Sequence, residues 1–191
     1  MIRIATVRDA GQLLDIYRYY VENTAITLEC IVPTGEQFAA RVENTLKKYP
    51  YLVAEEDGVI LGYAYAGPLN TRQAFDWSVE CSIYVRHGAQ GRGLGRALYT
   101  ALEDALRLQG IVHVSACIAW PEVEDEYLTR NSVQYHSHMG YRMVGQFHNC
   151  AFKFGRWYGM VWMEKFIAPH TVPPAPFRSF GEIHPQLCGA K

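Results

Sequence analysis

Gln90-Gly91-Arg92-Gly93-Leu94-Gly95-Arg96 joins a strand-like run, Ser82-Ile83-Tyr84-Val85, to a helix-like run from Ala97 to Gln109. A glycine-rich turn from strand to helix is an anion cradle. Its backbone N–H groups are unpaired, and the positive end of the helix dipole faces whatever sits there. The group it suits is a pyrophosphate. Two similar loops are excluded. A Walker loop ends in Gly-Lys-Ser/Thr, whereas Gly95 is followed by Arg96 and Ala97. A dinucleotide fingerprint begun at Gly91 needs a small residue at Arg96; begun at Gly93, it needs one at Leu98. What remains is Gln-x-x-Gly-x-Gly with interleaved arginines.

The rest of the chain bounds the class of protein around that turn. A length of 191 residues makes one domain the default, and 49% hydrophobic residues suffice for a sizeable core. A net charge of −1 supplies no argument for nucleic acid or an anionic membrane as partner. No apolar run approaches the roughly 18–20 residues of a membrane span. Met1-Ile2-Arg3-Ile4-Ala5 lacks a secretory segment, so a cytoplasmic location is expected. Five scattered cysteines, Cys30, Cys81, Cys117, Cys150 and Cys188, contain no Cys-x-x-Cys and read as reduced thiols. His136-x-His138 has no paired Cys, Asp or Glu spacing, so no metal is expected.

Periodicity places the elements. Residues 1–6 read as a first strand. Asp9 with Gln12 has the form of a capping box, and Leu13, Ile16, Tyr17, Tyr20 and Val21 follow at helical spacing. Thr34 with Gln37 opens a second helix with Phe38, Val42 and Leu46 on one face and Pro50 beyond its end. Residues 51–55 and 59–66 form a hairpin about Glu56-Asp57-Gly58, and Gly67-Pro68 breaks its second strand. Residues 69–77 are a loop. Residues 78–85 are a strand with Val79, Cys81, Ile83 and Val85 on one face and Glu80, Ser82 and Tyr84 on the other. Leu98, Ala101, Leu102 and Ala105 stripe the helix after the cradle, with Gly110 as its C-terminal cap. A strand over 111–119, an acidic stretch over 120–130, a short helix over about 132–139 and strands over 141–146 and 157–166 follow. The segment 169–191 is rich in proline (Pro169, Pro173, Pro174, Pro176, Pro185) and is expected to be extended or partly disordered. The order β-α-α-β-β-β-α-β-α-β-β describes a mixed α/β domain over 1–168 with a proline-rich tail.

Several stretches, together with the glycine turn, carry a resemblance. They are Tyr49-Pro50-Tyr51-Leu52-Val53-Ala54-Glu55, Gly62-Tyr63-Ala64-Tyr65-Ala66-Gly67-Pro68, Asp76-Trp77-Ser78-Val79-Glu80, Ser132-Val133-Gln134-Tyr135-His136, Met139-Gly140-Tyr141 and Lys153-Phe154-Gly155-Arg156-Trp157. In that order they resemble the phosphinothricin N-acetyltransferase group of the GNAT superfamily over about residues 1–166. That group also acts on methionine sulfone or sulfoximine type amino acids. The resemblance implies an α/β (α+β) GNAT acyl-CoA N-acyltransferase fold, a mixed, mostly antiparallel sheet flanked by helices. It further implies acetyl-CoA as co-substrate, a small-molecule amine acceptor and a homodimer.

The resemblance also implies positions for the chemistry. Ile83, Tyr84 and Val85 would hold the pantetheine arm, with the Val85 N–H as oxyanion donor. A β-bulge or splay near Tyr84 would free that N–H. Gln90, Gly91, Arg92, Gly93, Leu94, Gly95 and Arg96 would hold the pyrophosphate. Glu80 is the candidate general base. An ordinary glutamate titrates near 4.3, so it would need a raised pKa supplied by aromatic neighbours such as Trp77 and Tyr84. His136 would protonate the leaving thiolate, orient substrate or pack at its helix end, with Tyr84 as the alternative acid. Arg72, Phe75 and Leu28 would line the acceptor pocket.

Three positions depart from the group's pattern. Thr129 stands where an asparagine contacts the pantetheine arm, with Asn131 two residues later. Gly159 replaces an expected Asp, and Asn70 replaces a lysine of the acceptor loop. The amine is expected to attack directly, with Cys81 and Cys117 as core thiols, rather than by a ping-pong cysteine mechanism, since no cysteine beside a base is evident. The alternatives are a catalytically weak acyl-CoA-binding module and an acetyltransferase for a different amine.

Overall fold

The computed structural model describes residues 1–189. One seven-stranded sheet, ordered β1-β2-β3-β4-β5-β7-β6, carries helices on both faces. Its strands are β1 (Ile2–Ile4), β2 (Tyr51–Glu56), β3 (Val59–Pro68), β4 (Ser78–Val85), β5 (His113–Trp120), β6 (Arg142–Lys153) and β7 (Arg156–Phe166). The helices are α1 (Ala10–Asn23), α2 (Gly35–Leu46), α3 (Leu94–Leu108), α4 (Asn131–His138) and α5 (Phe180–Gly189). Every neighbouring pair is antiparallel except β4 and β5. The α/β architecture and mostly antiparallel sheet follow the expectation. Among the described residues no helix is long and apolar enough to cross a membrane.

The two sheet faces bury different stripes. On one, Leu98, Tyr99, Leu102 and Leu106 of α3 pack against Ala64, Ala66, Val79 and Cys81. On the other, Leu13, Ile16 and Tyr17 of α1 with Phe38 and Val42 of α2 cover Val53, Ile60 and Tyr63. Alternation along β3 and β4 thus divides the helices between faces. Full burial of one such aliphatic side chain contributes about 1.5–3 kcal/mol.

The two helix starts differ in how they are capped. At α2 the Thr34–Gln37 box forms: Thr34 N–H donates to Gln37 Oε1 at 2.9 Å and Gln37 N–H to Thr34 Oγ1 at 3.2 Å. At α1 it does not. Asp9 turns back to accept from the Thr6 N–H at 2.7 Å and from the Arg3 guanidinium at 2.8 Å. Gln12 instead grips the β2–β3 turn, donating to Gly58 O and accepting from Ile60 N–H. A neighbouring cation and a neighbouring turn outcompeted the local cap.

Other boundaries moved. α3 begins at Leu94, so the last cradle residues are already its first turn. β3 continues through Gly67-Pro68, where Pro68 pairs with Val79 as its final residue and needs no further N–H. β5 starts two residues late. β6 runs to Lys153, because irregularities at Met143/Gly145 and Phe147/Ala151 let it resume pairing after the alternation fails.

Residues 169–179 form neither helix nor strand, in keeping with an extended segment, and lie against the domain, whereas α5 within the tail was not expected; residues 190 and 191 lie outside the described residues. Arg178 N–H donates to Gln109 O and Phe180 N–H to Lys48 O. The buried Gln109 amide donates to Lys48 O and Arg178 O at 2.8 Å each. Phe180 and Ile183 are buried. Apolar anchors spaced between the prolines find a surface that composition alone does not display.

Candidate active site

The site begins where β4 and β5 separate. They pair only at Ser78–His113, Val79–Val114 and Glu80–Ser115, then splay. Arg86 N–H donates to Leu61 O, which turns that residue's backbone toward β3. Alternation therefore turns the backbone groups of Ile83 and Val85 into the splay. The β3–β4 register is continuous from Gly62–Val85 to Pro68–Val79. The expected freeing of these groups is thus the work of the splay, with no bulge in β4.

Two cavities meet this opening. One, of about 430 Å³, is bounded by Val85, Gly91, Gly93, Arg96 and Asn131, with Tyr135 from α4. Gln90, Leu94 and Gly95 also line it. Gly93 holds φ at +76° as the cap of α3, a left-handed conformation open to glycine at little cost. A Cβ on Gly95 would stand 3.0 Å from the Tyr135 ring. The Tyr135 hydroxyl is buried without a partner. Unpaired first-turn N–H groups and Arg96 together suit a pyrophosphate-bearing ligand. Arg92 points elsewhere, bridging to Glu56 at 2.7 Å. Asn131 lines this cavity, whereas Thr129 does not; its Oγ1 accepts from Asn131 N–H at 3.5 Å.

The second cavity is small, about 50 Å³, and lies in the splay between Ser82, Ile83, Tyr84, Tyr99, Cys117 and His136. His136 is buried. Its Nδ1 lies 2.7 Å from Ser132 O, which can only accept, so Nδ1 carries the proton. Burial pushes its pKa down to about 4, and the ring is neutral at neutral pH. Nε2 is then an acceptor for the Tyr99 hydroxyl 3.0 Å away. Burial pushes the Tyr84 phenol well up, among the rings of Tyr17, Tyr20 and Tyr63. The Cys117 thiol is pushed up to about 12 by burial and is a poor nucleophile.

Glu80 is the last paired residue before the splay. It is half-buried, and desolvation raises its pKa. Among the described residues no cation forms an ion pair with it. The charge is thus held partly out of water without compensation, which suits a proton acceptor.

The expected acceptor residues are less gathered. Arg72 and Phe75 lie in the exposed loop before β4, where Phe75 N–H donates to Arg72 O and Arg72 N–H to Asn70 Oδ1. Neither borders the two cavities. Leu28 packs with Ala25, Ala119, Leu128 and Tyr158. The buried Lys153 fixes that loop by donating to Thr27 O at 2.8 Å.

Tyr20 and Tyr99 were not read as site residues. Tyr20 donates to Val85 O at 2.5 Å and borders the larger cavity. Tyr20 was placed on the apolar stripe of its helix by spacing, whereas Tyr99 falls beside the stripe of Leu98, Ala101, Leu102 and Ala105 and drew no reading. Among the described residues no group of three or more His, Cys, Asp or Glu is arranged to hold a metal ion.

The chain is similar to known proteins in sequence and in fold. The model of the acetyltransferase (GNAT) domain family matches residues 2–162. The chain is 36% identical over 183 residues to a phosphinothricin N-acetyltransferase of Streptomyces viridochromogenes, covering 95% of each. It is 34% identical over 175 residues to an L-methionine sulfoximine/L-methionine sulfone acetyltransferase of Salmonella typhimurium, covering 91% of this chain and 98% of that one. A GNAT superfamily phosphinothricin acetyltransferase from Sinorhizobium meliloti, solved in complex with acetyl-CoA, superposes with a TM-score of 0.82 at 29% identity over 93% of each chain.

Proposed function

The chain belongs to the GNAT family of N-acetyltransferases, and on that premise we propose that it moves an acetyl group from acetyl-CoA to the primary amine of a small amino-acid-like acceptor, of the phosphinothricin or methionine sulfone/sulfoximine type. The observation that carries the reading is the position of Glu80. An uncompensated carboxylate stands at the fork of β4 and β5, on the strand whose far end, at Ile83 and Val85, borders the cavity of the glycine cradle.

In this reading the α3 N-terminus and Arg96 hold the pyrophosphate, and Asn131 and Tyr135 border the arm. Ile83 and Val85 backbone groups lead the thioester into the splay. Glu80 takes a proton from the acceptor ammonium, directly or through water. The amine nitrogen bonds to the acetyl carbon, the Val85 N–H donates to the carbonyl oxygen as negative charge develops there, and the C–S bond breaks. The thiolate leaves and takes up the proton that the new amide nitrogen sheds. His136 serves as the neutral anchor of the Tyr99 hydroxyl, since its only N–H is committed to Ser132.

The test is free-thiol release from acetyl-CoA against a panel of phosphinothricin, methionine sulfone, methionine sulfoximine, common amino acids and polyamines. Saturable release with amino acids is expected. Tight acetyl-CoA binding with no release from any amine would overturn the reading.

The same reading includes a homodimer. β6 ends the sheet with an open edge, and Met143, Val144, Phe147 and Phe152 on it are each about half exposed, as is Trp157 on β7. A long apolar edge strand suits antiparallel pairing with a second copy across a twofold axis. Light scattering should give twice the 21.7 kDa chain mass, and Phe147→Glu should halve it. A monomeric parent protein would remove this part.

A further inference from the structure

The transferred group has a compartment of its own in the splay. Ile26, Ile83 and Ser132 line both the cradle cavity and the smaller cavity of about 50 Å³, so the two adjoin. From Ile83 the smaller cavity follows β4 through Ser82 to Cys81. The next residue is Glu80, the last rung of β4–β5 pairing. Cradle, small cavity and carboxylate thus succeed one another along β4. A donor whose pyrophosphate lies on the cradle, and whose reactive carbon is attacked beside Glu80, places the group it gives up in the small cavity.

The cavity is short. Its volume of about 50 Å³ is near a third of the roughly 150 Å³ that holds the six carbons of benzene. That leaves room for about two carbons, an acetyl group. Most of its walls are fixed. The Tyr99 hydroxyl is held by His136 Nε2 at 3.0 Å, and His136 by Ser132 O at 2.7 Å. Ala116 and Ile118 are buried in the core beneath α3. The Tyr84 ring meets Tyr17 and Tyr20 edge-on at 5.1 and 5.2 Å.

Cys117 is the exception. It stands two residues after Ser115, the partner of Glu80, so alternation puts it on the same face of the sheet as that carboxylate. Burial first, and the Glu80 charge second, push its thiol up to about 12, which makes it a neutral wall. It is only half-buried, and its thiol donates to Met160 Sδ. An unbranched thioether adapts to a change in its neighbour. Cys117 is therefore the wall that a single substitution moves.

We propose that this cavity restricts the acyl donor to two carbons and that Cys117 sets the restriction, so that shortening its side chain adds propionyl transfer to the activity. The proposal rests on the reading of the chain as an amine acetyltransferase and adds what selects the acyl group. The bonds exchanged stay the same. The amine nitrogen bonds to the acyl carbon, the C–S bond breaks, and the proton shed by the nitrogen ends on the sulfur. One methylene too many in such a pocket is worth about 10–200-fold.

The test is kcat/KM for acetyl-, propionyl- and butyryl-CoA against the amine panel, in the parent, Cys117→Ala and Cys117→Ile. Calorimetry adds the Kd of each thioester and of coenzyme A itself. The parent should prefer acetyl over propionyl by about 10–200-fold and use butyryl less still. Cys117→Ala should narrow the acetyl-to-propionyl ratio at least about tenfold, and Cys117→Ile should lower acetyl transfer at least about tenfold. Coenzyme A, which lacks the acyl group, should bind all three proteins equally; a merely structural role for Cys117 would shift its Kd along with the others. Butyryl used as well as acetyl by the parent, a ratio that neither substitution moves, or a coenzyme A Kd that shifts as far as those of the thioesters overturns the proposal and leaves the acetyltransferase reading standing. Thioester affinities graded by chain length and shifted by Cys117→Ala, with no transfer to any amine, would keep the cavity's role and remove that reading.

Discussion

Glu80→Gln is expected to lower kcat by about 10²–10⁴-fold, the usual contribution of a positioned general base, with acetyl-CoA affinity nearly unchanged. The amide keeps the size and polar contacts of the carboxylate at the fork but cannot take the ammonium proton. The activity of the parent enzyme should also carry an acidic limb. Desolvation raises the Glu80 pKa, so kcat/KM falls as pH drops through a value above the ordinary carboxylate's of about 4.3. That limb should vanish from the residual activity of the variant.

The same shift makes a stability prediction of opposite sense. An acid whose folded pKa exceeds its unfolded pKa contributes stability below the unfolded value and loses it as pH rises through the folded one. At neutral pH the ionised Glu80 is therefore a burden on the fold, and the glutamine variant should melt at the same temperature or higher. Equal turnover in variant and parent would remove Glu80 from the mechanism. A large drop in melting temperature would show that the carboxylate is structural.

Gly93→Val is expected to weaken acetyl-CoA binding by about 10–100-fold while leaving kcat at saturation much closer to that of the parent. A β-branched residue held at the φ of +76° that Gly93 adopts is strained by about 1–3 kcal/mol. The chain relieves that strain by moving the first turn of α3, whose N–H groups form the cradle. Each 1.4 kcal/mol lost from the bound state is tenfold in Kd. Titration calorimetry with acetyl-CoA reads the effect directly. An unchanged Kd would mean that the pyrophosphate is held elsewhere. The two variants thus separate the halves of the site: one should change turnover and spare affinity, the other the reverse.

What could be read without coordinates was local or periodic. The cradle, the Asp57-Gly58 hairpin and the Thr34–Gln37 helix start each need only residues a few positions apart. The alternation in Ser78–Val85 was enough to set Glu80 apart from Val79 and Cys81. Reading failed where a distant group competed for a local one. Arg3 claims the Asp9 carboxylate, and Gln12 serves the β2–β3 turn. Tyr20 was legible as a helix-stripe residue, and its ring does pack. Helical spacing assigns a side chain to a face, but it does not say where the oxygen at the tip ends.

The sequence by itself determined the order of elements through β7, the mixed α/β class, the glycine turn before α3 and the carboxylate on the face of β4 opposite Val79 and Cys81. These follow from glycine's freedom at positive φ and from the periods of helix and strand. Only the tertiary structure decided that β4 and β5 part immediately after Glu80, and that His136 stays neutral with Tyr99 on its Nε2. The same holds for Arg92, which turns to Glu56, and for the segment after Ala168, which docks through Phe180 and Ile183. It holds also for the stacking of Tyr51 on Tyr63 and Tyr65. Each of these depends on groups far apart in the chain competing for the same space, proton or charge, and that competition is settled only when the chain is packed.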